Sequence, residues 1–194
     1  MAKEGQSALN TIVRGAAGGQ RLPPVHLWDP PYCGEIDMRI AADGTWFYQK
    51  TPIGRPALVK LFASVLKREG DRYFLVTPVE KCGISVEDAP FLAIEMRPEG
   101  APPDRDLVFV TNVGDEVRCG PDHPLRFEPE DTTGGLKPYL LVRRNLWAKL
   151  TRALTYDLVE LGEEREFEGV RCYGVASQGR FFPMAPVDNL TGTR

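Results

Sequence analysis

Residues 35–48 read EIDMRIAADGTWFY, and their pattern decides the fold class. Ile36, Met38 and Ile40 alternate with Asp37 and Arg39, the two-residue period of a strand with one buried face. Asp43-Gly44 supplies a two-residue turn able to adopt positive φ, and Trp46, Phe47 and Tyr48 return as the second arm of a hairpin. The period then changes. Pro56 suits the first turn of a helix, Leu58, Leu61, Phe62, Val65 and Leu66 recur at three–four spacing, and Gly70 is placed as a C-terminal stop. Residues 72–77 (RYFLVT) are a strand again. Strand, helix and strand in succession make an α+β unit.

A second succession of the same kind follows. Strands are expected over 91–96, 107–111 and 116–119, with turns at 98–103 and 112–115 and a loop rich in Pro, Asp and Gly over 120–135. Residues 139–142 form a short apolar strand. Asn145 is placed as an N-cap, and Trp147, Leu150, Leu154, Leu158 and Leu161 make a helical stripe ended by Gly162. The run 163–168 (EEREFE) reads as a solvated turn, and strands over 170–176 and 181–184 close the unit. The expected organisation is an arm over 1–20 (with a short helix over 8–14), α+β domains over 21–86 and 87–185, and a tail over 186–194. The repeated order suggests a duplication.

Bulk composition excludes several classes. At 194 residues, 42% hydrophobic and 26% charged, the chain has ordinary globular composition. A net charge of −3 argues against generic binding of nucleic acid, which needs a broad basic footprint. No apolar run reaches the ~18 residues of a membrane span, and a cytoplasmic protein is expected. Cys33, Cys82, Cys119 and Cys172 lie too far apart for a zinc or redox motif, so free thiols are expected.

Charge placement is more informative than its total. Two windows, 44–68 and 132–156, contain no acid, yet hold Lys50, Arg55, Lys60, Lys67 and Arg68, and Lys137, Arg143, Arg144, Lys149 and Arg152. Both fall where a strand is expected to hand over to a helix, whose N-terminal N–H groups favour anions. Trp46, Tyr48, Tyr139, Trp147 and Tyr156 share these windows and offer faces for a planar ring. The competing assignment is plain: Lys60 and Lys67 on a solvated helix face, Trp46 and Trp147 in the core.

Reaction chemistry is not evident. His26 and His123 lie in proline-bearing loops without motif context, and no nucleophile elbow, zinc-protease helix, Walker loop or dinucleotide fingerprint occurs. No cofactor or metal is implied. Glu80, Glu87 and Asp88 surround Lys81 in PVEKCGISVEDAP and look like a polar junction between domains.

Several stretches, CGEIDMRIAADGTWFYQ, PIGRPALVKLF, LVTPVEKCGI, VEDAPF, TNVGDEV, KPYLLVRRNL, YDLVELG and SQGRFFP, resemble a bacterial family, number 1285 among the domains of unknown function. They cover about 33–183. The resemblance implies a duplicated α+β core, a C-terminal domain like the pleckstrin-homology fold, and a nucleotide-type ligand at the interface of the domains in signalling. No catalytic residues come with it. The residues standing in these motifs are Arg39, Trp46, Tyr48, Arg55, Glu80, Lys81, Glu87, Asp88 and Arg143. A non-catalytic module binding a small anionic or nucleotide-like ligand is the leading expectation. The alternatives are a module that binds a partner protein or peptide, and a weak hydrolase using the acids from Glu80 to Asp88.

Overall fold

A computed structural model describes residues 22–130 and 135–188. The expected arm and all but the first residues of the tail lie outside them. The chain divides into two compact units, Met1–Pro90 and Phe91–Arg194.

In the first unit, β1 (Tyr32–Ile40), β2 (Trp46–Tyr48) and β3 (Thr51–Pro52) precede helix α1 (Pro56–Ser64), and β4 (Leu66–Glu69), β5 (Arg72–Val76) and β6 (Lys81–Val86) follow it. The six strands form one sheet in the order β3-β2-β1-β6-β5-β4. The first hairpin turns at Asp-Gly, but not through two residues: Ala41 N–H donates to the Thr45 carbonyl and Gly44 N–H to the Ala41 carbonyl, both at 2.9 Å, which leaves residues 42–44 in the loop. Gly44 adopts φ +80°, and the Asp43 carboxylate accepts the Thr45 N–H at 2.9 Å. At the next turn Gln49 and Lys50 both take positive φ, the geometry of a two-residue hairpin connection, although neither is glycine.

The second unit contains β7 (Phe91–Glu99), β8 (Asp106–Thr111), β9 (Glu116–Arg118), β10 (Leu125–Pro129), β11 (Leu136–Arg143) and β12 (Leu146–Leu150). These form a sheet in the order β10-β11-β12-β7-β8-β9. Helix α2 (Arg152–Glu160) then leads into β13 (Glu163–Phe167), β14 (Val170–Ser177) and β15 (Arg180–Pro186), a three-stranded sheet.

Renumbered from its own first strand, the second six-stranded sheet has the same order as the first. In both, the first and last strands are parallel neighbours at the centre, and every other pairing is antiparallel. This agreement is consistent with a duplication, but it corrects what is repeated. The helices do not correspond: α1 lies between the third and fourth strands of its sheet, whereas α2 follows the sixth.

Other expectations are corrected as well. The first helix ends at Ser64, whose hydroxyl donates to the Leu61 carbonyl at 2.7 Å. Val65 and Leu66 continue the helical spacing, but Val65 is the buried C-cap and Leu66 starts a strand, so Gly70 is a hairpin turn and not a helix stop. Lys67 therefore belongs to β4, where its ammonium reaches the Trp28 carbonyl and Glu69. Asn145 is not the helix cap. It sits in the β11–β12 hairpin beside Arg144 at φ +52°, and Thr151 is the true N-cap, accepting from Leu154 N–H. Residues 146–150 alternate buried and half-buried, and the strand period overrides the helical one. The loop over 120–135 contains β10, and the supposed turn 163–168 is β13, paired with β14.

The first unit's core packs on the helix. Trp46 and Phe62 are each 1% exposed and stack with ring centres 6.2 Å apart, joined by Met38, Ile40, Ala63 and Val65. In the second unit, buried Ser177 links the two sheets: its hydroxyl donates to the Cys119 carbonyl at 2.7 Å and accepts the Leu107 N–H at 2.9 Å. No described helix is long and apolar enough to cross a membrane.

Candidate functional site

Strand register sorts the sequence-derived site residues by face. In the β1–β2 pair, Met38 opposes Tyr48, Arg39 opposes Phe47 and Ile40 opposes Trp46. Side chains alternate across a sheet, so Trp46 and Tyr48 share a face with the buried Met38 and Ile40, while Arg39 and Phe47 project from the other. Trp46 is core and offers no surface to a ligand. Arg55 is an exposed residue ahead of α1.

Around Arg39 the outer face forms a cavity of about 170 Å³, lined by Ile36, Asp37, Met38, Arg39, Phe47, Lys50 and Ser85. The Arg39 guanidinium lies over the Phe47 ring, 4.3 Å from its centre, and pairs with the Glu87 carboxylate. The other Glu87 oxygen accepts the Ala42 N–H at 2.9 Å. Ser85 is the parallel cross-strand neighbour of Arg39 on β6. The Lys50 ammonium has no partner among the described residues. Lys50 lines the cavity from the left-handed turn it shares with Gln49. A stacked guanidinium, an uncommitted ammonium and a flat apolar ring suit a small oxyanion.

The remaining acids and bases are engaged elsewhere. Lys81 is the first residue of a central strand, not part of a polar junction. Its ammonium reaches Glu69 at 2.8 Å and lies over the Phe74 ring. Bonds from Lys81 and then Lys67 hold the Glu69 carboxyl below the usual glutamate range. Glu80 precedes β6 and Glu87 follows it, so the two acids are separated by roughly 20 Å of extended chain and cannot share a proton. One Glu80 carboxylate oxygen is buried without a hydrogen-bond partner among the described residues. Asp88 lies beyond Glu87, half-buried. Arg143 belongs to the second unit, where it pairs with Asp115 and lies over the Phe91 ring.

Of the nine residues taken from the motifs, the structure brings Arg39 and Glu87 into contact, and of the nine Arg39 alone lines the cavity. Phe47, Lys50, Asp37 and Ser85 line it beside Arg39. Phe47 and Ser85 are neighbours of Arg39 only through strand register, and β6 is itself invisible to periodicity. Lys50 lay in the acid-free window, and that was the one signal available for it.

Burial raises the thiols of Cys82 to about 11 and Cys119 to about 12, which leaves both unreactive at neutral pH. His123 Nδ1–H donates to the Leu141 carbonyl at 3.0 Å and braces its loop. No cluster of three or more potential metal ligands occurs among the described residues.

Comparison with known proteins follows the same division of the chain. Residues 23–89 match "Domain of unknown function (DUF1285), N-terminal domain", and residues 90–184 match "Protein of unknown function (DUF1285), C-terminal domain". A DUF1285 family protein from Silicibacter pomeroyi DSS-3 is 48% identical, with a TM-score of 0.85 over 94% of this chain and 97% of that one. A second, from Shewanella baltica OS155, is 36% identical, with a TM-score of 0.51 over 64% of this chain and 91% of that one. No curated protein matches.

Proposed function

The chain belongs to the DUF1285 family, and on that premise we propose that it is a non-catalytic module that binds a small anionic ligand. One observation carries the reading: an open cavity that combines Arg39 stacked on Phe47 with a Lys50 that has no partner among the described residues. At about 170 Å³ it is smaller than the ~300–1,000 Å³ of sites that engulf drug-sized molecules. It therefore takes a phosphoryl or carboxylate group, and a nucleotide-like ligand would insert its phosphate and leave its base outside. On this reading the protein works in the bacterial cytoplasm, in signal transduction. The likeness of its second unit to a pleckstrin-homology fold belongs to the same proposal.

The test is a thermal-shift comparison with millimolar phosphate, nucleoside monophosphates and small carboxylates. A ligand at ten times its Kd stabilises by about 1.4 kcal/mol, enough for a rise of several degrees. The rise should vanish in the Arg39→Gln, Lys50→Gln double variant. If no anion raises the wild-type midpoint, the reading fails.

A second reading, a peptide-binding module, draws on β13. This strand pairs only with β14 among the described residues, and it carries Glu163, Glu164 and Glu166. A basic extended segment could add to that edge. Capture of a basic peptide that is abolished by Arg165→Pro, and indifferent to Arg39, would favour it.

A further inference from the structure

The two sheets reach the same point by the same route and then diverge. After the last strand of the first, Glu87 N–H donates to the Ile40 carbonyl at 3.0 Å; after the last strand of the second, Thr151 N–H donates to the Ala93 carbonyl at 3.2 Å. At this equivalent position Thr151 caps a helix, whereas Glu87 turns its carboxylate onto Arg39 and the Ala42 N–H. The topology does not require an acid there. Arg39, one residue before Ile40, corresponds to Leu92, so the second unit has no counterpart of the pair.

We infer that the Glu87 carboxylate is an internal occupant of an oxyanion site built by the Arg39 guanidinium and the Ala42 N–H, and that a small carboxylate or phosphoryl group displaces it. The inference rests on the binding reading above and adds which donors hold the anion and what leaves when it arrives. The chemistry of the occupant supports it: Glu87 presents two oxygens to one guanidinium N–H and one backbone N–H, as a free carboxylate or phosphate would. Exchange is inexpensive because both side chains are solvated, 40% and 43% exposed, where an ion pair contributes little net stability. On release, the Glu87 carboxylate stands free in residues 87–90, the stretch that leads into the second unit.

The experiment is an NMR titration of the full chain with sodium phosphate and, separately, sodium acetate at fixed ionic strength. Wild type, Glu87→Gln and Arg39→Gln are compared. Removing the internal competitor should tighten binding roughly two- to fivefold, the range an exposed ion pair supplies, and Arg39→Gln should lose the saturable shift at Ala42. In wild type the Glu87 side-chain carboxyl carbon should move as the anion saturates, a readout that holds even if the Gln variant does not fold. A response to phosphate alone or acetate alone identifies the group and supports the inference. Equal affinity in wild type and Glu87→Gln, with a stationary Glu87 carboxyl signal, overturns displacement and leaves the binding reading standing. No saturable shift with either anion, at Ala42 or at the cavity residues Phe47 and Lys50, overturns both.

Discussion

The guanidinium carbon of Arg39 rests 4.3 Å from the centre of the Phe47 ring, because the two are direct cross-strand partners on the outer face of the first sheet. The ring covers one face of the guanidinium plane and leaves its N–H edge for an oxyanion. Phe47 thereby sets the orientation of the cation without touching the anion's oxygens.

Phe47→Leu should keep the hairpin, since Leu also packs on a half-buried strand, but remove the stacking. An exposed cation–π contact contributes about 0.5–1 kcal/mol, so phosphate affinity should fall roughly two- to fivefold with little change in melting midpoint. Titration beside circular dichroism checks both halves; unchanged affinity would remove the ring from the site.

Glu69 predicts a pH signature. Its folded carboxyl is held below the ordinary value of 4.5 by Lys81 and Lys67, so its contribution is complete above that value and is lost as pH falls through the lower folded one. The side chain is 35% exposed, which discounts the effect to about 0.5–1 kcal/mol. Glu69→Gln should melt lower than wild type by a constant margin from neutral pH to about 5, and the two curves should converge in stronger acid. A gap that widens on acidification would reverse the assignment.

Ser177→Ala should be more damaging than its size suggests. It leaves the Leu107 N–H and the Cys119 carbonyl buried without their side-chain partner, at about 1–3 kcal/mol for each group. The loss should appear in denaturant unfolding, and in hydrogen exchange at Leu107 that quickens ahead of the rest of β8.

The legible parts of the chain were those where one period dominated. The hairpin from Ile36 to Tyr48 combined strict alternation with Asp-Gly, and no other local structure satisfies both. Leu66 and Trp147 fitted two periods at once, and only pairing with Leu75 and Leu141 decided for strands. β6 begins with a lysine beside a glutamate, which disguised a central strand as a polar junction. The site was half legible for the same reason. Arg39 and Glu87 stand in recognisable motifs, but their neighbours Phe47 and Ser85 are set by register across strands, a relation that linear spacing does not encode.

The shared strand order has a consequence for how each sheet comes into being. In both sheets the first strand made is joined at the centre to the last, so two three-stranded halves, β1–β3 and β4–β6, wait for one ladder to unite them. On a ribosome neither sheet can close until its sixth strand has emerged, and β1 meanwhile presents an unpaired edge. Truncation would act in the same manner: loss of β6 or β12 would not trim a margin but would cut the sheet along its middle.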